Sequence, residues 1–146
     1  METYSLQNDL KVFGLQVKTF PQGIGETFNS LTKTLPKAFT RSYYGISEMT
    51  GEGMIYLATS TELYEGEADN YHFHRYIVPK GKYLATIVKD WRNKIPTLKT
   101  VFNQMMQDDR VDKQKPCIEW YKDEDEMWCM VKADIRKELL SESQLV

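Results

Sequence analysis

Hydrophobic residues in the first half of the chain follow three successive patterns. Across residues 11–20, apolar residues alternate with polar or small ones, which predicts a half-buried β-strand. Pro21 and Gly23 end that segment, and a predicted helix follows, with one apolar face made of Ile24, Phe28, Leu31 and Leu35. Two β-rich runs come next, at 38–47 and 54–63, and the sequence MTGEG near their junction is typical of a hairpin turn.

The second half repeats this order of elements. Residues 82–90 predict a strand, and a helix that begins around Asn93 is indicated by the spacing of Ile95, Leu98, Val101 and Met105. Segments 116–123 and 126–134 predict a second hairpin. The connector 64–78 joins the halves, and YHFHRYIV within it is a candidate for a further strand or the rim of one.

A strand–helix–hairpin unit that occurs twice predicts an α+β fold. Two helices would cover one face of an antiparallel sheet, and the other face would be open. We therefore expect a ligand groove on the face opposite the helices. The alternative is that this open face is buried in a homodimer.

Composition limits the class of protein. A chain of 146 residues predicts a single domain, 1–146, with a core at about 10–134. The net charge of −2 argues against a surface that coats nucleic acid, and no uncharged stretch is long enough to cross a membrane. The N-terminus lacks the pattern of a secretory signal, so we expect a cytoplasmic location.

The second hairpin has an unusual polar residue. A loop centred on Glu124 and Asp125 would pair Tyr121 with Trp128. One face would then carry Cys117, Glu119, Tyr121, Trp128 and Met130, and the other Ile118, Trp120, Cys129 and Val131. This register puts the two cysteines on opposite faces and argues against a disulfide.

A carboxylate among aromatic rings has two interpretations. Glu119 is either a partly exposed residue whose neighbours happen to be aromatic, or the counter-charge in a site for a flat or cationic ligand. His72 and His74 would share a strand face, but a third ligand is not evident, and we predict neither a metal site nor a cofactor.

The order and spacing of several segments resemble the GyrI-like small-molecule-binding family, which is also the effector-binding domain of AraC-type and MerR-type transcription regulators. The matching segments are FPQGIGETFNSL, SYYGIS, YIVPKGKYLATI, IPTLKTVFNQMM, PCIEWY and EMWCMV. They cover about residues 10–134. The resemblance implies a bacterial, transcription-regulator-like module with a central groove. The chain lacks room for the DNA-binding domain of such regulators, so direct DNA binding is not expected.

The resemblance also implies site residues. In relatives that bind cationic drugs, a Glu in the penultimate strand lies at the groove floor, and Glu119 occupies the matching position. Aromatic groove walls imply ligand-binding roles for Tyr44, Tyr56, Trp91, Tyr121 and Trp128. Tyr43 and Tyr44 point to opposite faces, so only one of them can line the groove; Tyr44 is preferred and Tyr43 is its rival.

Three functional hypotheses follow. The first is a multidrug-binding type of module that takes an aromatic small molecule, expected to be a cation, beside Glu119. The second is a hydrolase of electrophilic small molecules, with Glu119 as general base or nucleophile and Tyr121 as hydrogen-bond donor. The third is a protein-interaction module, because an exposed face rich in Tyr, Trp and Met also resembles an interface core.

Overall fold

The structure is a computed structural model, and it describes residues 1–134 and 136. Within these residues the strands are β1 (Glu2–Leu6), β2 (Leu10–Gln16), β3 (Tyr43–Thr50), β4 (Gly53–Thr61), β5 (His74–Val78), β6 (Gly81–Lys89), β7 (Cys117–Tyr121) and β8 (Glu126–Lys132). The helices are α1 (Ile24–Thr34) and α2 (Leu98–Met105). The predicted α+β class is confirmed.

The strands form one antiparallel sheet in the order β1-β6-β8-β7-β3-β4-β2-β5. Each half contributes a strand, a helix and a hairpin, and β3 pairs with β7 at the centre of the sheet. The connector contains β5, which pairs with β2 of the first half. The strand β1, which the sequence patterns did not indicate, pairs with β6 of the second half. The strand that precedes each repeated unit, β1 in the first half and β5 before the second, therefore pairs with the unit of the other half.

The helices differ in how closely they match their predicted bounds. The helix α1 runs from Ile24 and ends before Leu35, whose extended backbone precedes Pro36. The helix α2 begins at Leu98 rather than near Asn93, because the preceding residues form two short 3-10 turns, Trp91–Asn93 and Ile95–Thr97. Buried residues of α1 pack over the first half, and those of α2 pack over the second.

The face opposite the helices differs from the expected open surface. Side chains from all eight strands pack on it into one apolar cluster, which includes the buried residues Tyr44, Ile46, Tyr83, Ile118 and Met130. The sheet curls around this cluster, and the backbone N–H of Lys80 donates to Asp9 Oδ1 at 2.7 Å, which links the β5–β6 and β1–β2 connections. The cluster therefore occupies the place where we expected the groove.

A buried ion pair stabilises the first half. The Arg41 guanidinium donates to both carboxylate oxygens of Glu67, and the side chains are 0% and 2% exposed. Arg41 also donates to the carbonyl oxygen of Pro36, and Glu67 accepts from the backbone N–H of Leu63. These hydrogen bonds hold the pKa of the Glu67 carboxyl below its usual value. The pair ties the connector to the end of α1.

A membrane-spanning helix and a metal site each have requirements that can be compared with the described part of the chain. Neither helix there combines the length and the apolar character that a bilayer crossing requires. The described His, Cys, Asp and Glu residues form no group of three that could hold a metal ion. His72 and His74 are both exposed.

Candidate functional site

The register of the second hairpin differs by one residue from the predicted one. Tyr121 pairs with Met127 rather than Trp128, and Glu119 pairs with Cys129. The turn explains the difference, because Asp123 Oδ1 accepts the backbone N–H groups of Asp125 and Glu126 at 2.8 and 2.6 Å. This local hydrogen bonding produces a turn centred on Glu124 alone.

The one-residue shift exchanges the faces of β8. Trp128 and Met130 lie with Ile118 in the cluster on the helix-free face, whereas Cys129 shares the helix side with Cys117. The prediction that Trp128 lies beside Glu119 is therefore wrong. The predicted separation of the two cysteines onto opposite faces is also wrong, although both are free thiols.

Glu119 lies at the centre of the sheet, on the face that carries the helices. The residue is 7% exposed. Its Oε1 accepts a hydrogen bond from Tyr56 Oη at 2.5 Å and another from Tyr121 Oη at 3.3 Å. The two phenol oxygens are 3.1 Å apart. Residues from both hairpins thus meet in one polar cluster, which we call the Glu119 cluster (Tyr56, Glu119 and Tyr121).

Gly45 makes the Glu119 cluster sterically possible. It lies on β3 directly opposite Glu119 on β7. A Cβ atom at this position would be 1.9 Å from Tyr56 Oη and 2.7 Å from Glu119 Oε1. The missing side chain lets the Tyr56 phenol cross β3 and reach the carboxylate.

Aromatic rings surround the cluster. The Phe20 ring stacks on Tyr56 with centroids 5.6 Å apart. The rings of Phe28, from α1, and Trp91, from the turn before α2, meet Tyr121 edge-on at 5.2 and 5.0 Å. Tyr121 therefore contacts one ring from α1 and one from the turn before α2, and we call this region the seam (the Glu119 cluster with Phe20, Phe28 and Trp91).

Burial dominates the electrostatics of the seam. Desolvation raises the pKa of Glu119, and the hydrogen bonds from Tyr56 and Tyr121 oppose this effect. Desolvation also raises the pKa of both phenols, with the Glu119 charge as the second cause, so both remain protonated donors near neutral pH. Among the described residues no Lys, Arg or His forms an ion pair with Glu119.

The two carboxylate oxygens of Glu119 differ in their hydrogen bonding. Glu119 Oε2 accepts no hydrogen bond from the described residues. No fully buried side-chain polar atom among these residues lacks a partner, so Oε2 keeps a small contact with solvent. The arrangement is a nearly dry carboxylate with one oxygen hydrogen-bonded to two phenols, and such a group suits a cation.

Four of the six predicted site residues come together. Glu119 and Tyr121 share β7, and the contacts above bring Tyr56 and Trp91 to them. Tyr44 and Trp128 lie on the opposite face, in the cluster where the Tyr44 ring stacks on Trp120 at 6.2 Å.

Of the two adjacent tyrosines, Tyr43 and not Tyr44 lies on the same face as Glu119. Tyr43, the rival candidate, shares the Glu119 face; it pairs with Tyr121, and its ring meets Phe28 edge-on at 6.3 Å. Its hydroxyl donates to the carbonyl oxygen of Ala38. Phe20, Phe28 and Gly45 were not among the predicted site residues. Phe28 was predicted only as part of the apolar face of a helix. For Gly45 the available signal was a glycine inside a predicted strand, which often marks a close approach of another group to the backbone.

Sequence comparisons do not identify a family. No protein-family model matches the chain, and no curated protein sequence matches it.

Solved structures show the same fold. An integron cassette protein, VCH_CASS2, from the mobile metagenome of Vibrio cholerae, superposes with a TM-score of 0.64 at 16% identity, over 91% of this chain and 95% of that one. SAV2435 bound to tetraphenylphosphonium gives 0.59 at 17% identity, over 90% and 94%. A protein from Staphylococcus aureus MU50, provisionally named for bacterial transcription regulation, gives 0.56 at 14% identity, over 90% and 97%. These similarities show the fold alone and are consistent with a GyrI-like architecture.

Proposed function

We propose that this chain is a GyrI-like module that binds an aromatic organic cation in the seam, with Glu119 as the counter-charge. One observation carries the proposal: a carboxylate that is 7% exposed lies among aromatic rings without a cationic partner in the described part of the chain. Burying an unpaired charge is costly, and a bound cation would offset that cost.

Each residue of the seam has a role in this proposal. Glu119 Oε2 would face the positive charge, while the two phenols keep Oε1 hydrogen-bonded and fix the orientation of the carboxylate. The rings of Trp91, Tyr121 and Phe28 would contact the aromatic groups of the ligand and add cation–π attraction, worth about 0.5–2 kcal/mol for each favourable contact.

The comparison with SAV2435 supports the chemical class. That protein was solved with tetraphenylphosphonium, a permanent cation with four phenyl rings. The same chemistry suits a seam with a buried carboxylate and aromatic walls.

Calorimetric titration with tetraphenylphosphonium tests the proposal. Glu119→Gln should weaken binding about ten- to a hundredfold, because the neutral amide keeps the shape and loses the charge. The exposed Glu124→Gln removes the same charge from the turn and should leave affinity unchanged. Triphenylphosphine oxide, an aromatic of similar shape without a net charge, should bind weakly to both. Equal affinity of the parent and Glu119→Gln for the cation would refute the role of Glu119.

The Glu119 cluster also supports a second candidate function, hydrolysis of an electrophilic small molecule. A carboxyl with a raised pKa can act as a general base, and the Tyr121 phenol, whose hydrogen bond to Glu119 Oε1 is long at 3.3 Å, can turn to donate to a developing negative charge on the substrate. Product formation that Glu119→Gln abolishes, with substrate binding retained, would favour this function. Absence of turnover across strained electrophiles that do bind would exclude it.

A further inference from the structure

A cavity lies at the far end of the β3–β7 pair. Its volume is about 470 Å³, and its apolar part is lined by Met49, Met54, Met106 and Cys117. Met49 and Met54 are 69% and 43% exposed. Methionine side chains are flexible and polarisable, and they accommodate apolar groups of varied shape. We call this cavity the methionine pocket.

The methionine pocket lies on the same face as Glu119. Cys117 lines the pocket and precedes Glu119 by two residues on β7, so both side chains point to the same side of the sheet, roughly 7 Å apart along the strand. The two groups also interact electrostatically: burial raises the pKa of the Cys117 thiol to about 11, and the Glu119 charge adds to this shift. Trp91 and Phe28 contact Tyr121 on one side of Glu119 along β7, and the methionine pocket lies on the other side, next to Cys117.

The rim of the methionine pocket is basic. Lys113 and Lys115 line it, both exposed, with Gln114 between them. Neither lysine forms an ion pair with a described residue. The acidic neighbour in the same turn is Asp112, whose Oδ1 accepts the backbone N–H of Gln114 at 3.1 Å. From Glu119 towards the rim, this face of the sheet therefore presents a buried carboxyl group, the apolar wall of the methionine pocket and two ammonium groups.

We propose that the natural ligand is an elongated zwitterion, with an aromatic cationic head at Glu119, an apolar middle along the methionines and an anionic end at Lys113 and Lys115. This inference rests on the proposed function and specifies its substrate class. Lys115 lies four positions before Glu119, which limits the span between their Cα atoms to about 13 Å. A flexible linker of several methylene groups can bridge that distance.

Carboxyalkyl-triphenylphosphonium ions of increasing chain length, each compared with its methyl ester, test the inference by calorimetry. The ester carries the same cation and nearly the same chain, so the ratio of the two affinities measures the contribution of the carboxylate to binding. At the optimal length the carboxylate should bind about two- to tenfold more tightly than the ester, and the advantage should shrink with added salt. Lys113→Gln/Lys115→Gln should abolish the advantage and leave the affinity for the ester unchanged. The matched double variant Lys33→Gln/Lys99→Gln, which removes two exposed charges from the helices, should retain it.

The outcomes separate this inference from the function on which it rests. If the esters bind and Glu119→Gln weakens them, while the carboxylates gain nothing at any length, the proposed function stands and the zwitterion is wrong. A carboxylate advantage that survives Lys113→Gln/Lys115→Gln would also refute the rim as the anion site. If neither esters nor carboxylates bind, both proposals fail.

Discussion

Gly45 offers a direct test of how the two hairpins build the Glu119 cluster. In Gly45→Ala, the added Cβ would lie 1.9 Å from Tyr56 Oη, 2.5 Å from Tyr56 Cζ and 2.7 Å from Glu119 Oε1. These separations are far below van der Waals contact, so the phenol or the strand must move. Tyr56 is 2% exposed, and Phe20 stacks on its ring, so little room remains for it to retreat.

The expected cost follows from these contacts. Overpacking a buried site by one methyl group costs about 1–3 kcal/mol. We expect Gly45→Ala to fall in the upper part of that range, because the displaced Tyr56 hydroxyl also loses its hydrogen bond to Glu119, an interaction worth about 1.5–3 kcal/mol with a charged partner. The two contributions share the same atoms and do not simply add.

Urea unfolding of matched variants measures this cost. Gly51→Ala is the control, since a Cβ at Gly51 in the first hairpin turn meets no atom within 4 Å, and it should be neutral or slightly stabilising. Tyr56→Leu should relieve much of the clash, so Gly45→Ala should cost less in its background than in the parent. The described approach of Tyr56 to Glu119 is wrong if Gly45→Ala is as stable as Gly51→Ala. It is also wrong if Gly45→Ala lowers the free energy of unfolding equally in the parent and in the Tyr56→Leu background.

Three further predictions concern charge and placement. In urea unfolding, Glu119→Gln should stabilise the protein relative to the parent, and increasingly so from about pH 4 to about pH 8. The pKa of Glu119 is raised in the folded state, so the parent is most stable below the unfolded pKa and loses stability as pH rises through the folded pKa. A difference in unfolding free energy between variant and parent that does not grow with pH would contradict this. Arg41→Met should lower the free energy of unfolding by about 3–5 kcal/mol, since Glu67 is left buried without its cationic partner, and adding Glu67→Leu should recover part of the loss. If Arg41→Met alone is as stable as the parent in urea unfolding, the ion pair is dispensable. Trp91→Phe should weaken tetraphenylphosphonium binding several-fold while Trp128→Phe leaves it unchanged, because Trp91 lies against Tyr121 and Trp128 lies on the opposite face of the sheet. Equal effects of the two substitutions on the measured affinity would show that the binding site is not on the face that carries Glu119.

The order of elements could be predicted from sequence because it depends on local periodicity. The alternation in β2 and the four-three-four spacing of α1 are properties of neighbouring residues, and both elements appear where the pattern indicates. The association of Glu119 with Tyr121 is equally local, since residues two apart on a strand share a face whatever surrounds them. The strand β1 escaped prediction because it is short and polar, and its pairing with β6 joins residues about eighty positions apart.

The tertiary structure decided which side of the sheet carries the site and which residues complete it. Both faces of the central strands are apolar, so the pattern could not show which face meets the helices. The Asp123 turn shifts the β7–β8 pairing by one residue, and since side chains alternate with a period of two, that shift moves Trp128 to the far side of the sheet. Tyr56 reaches Glu119 only because β3 lies between β4 and β7 and has no side chain at Gly45. Strand order and register are long-range properties, and a single sequence constrains them only weakly because they depend on how distant segments pack.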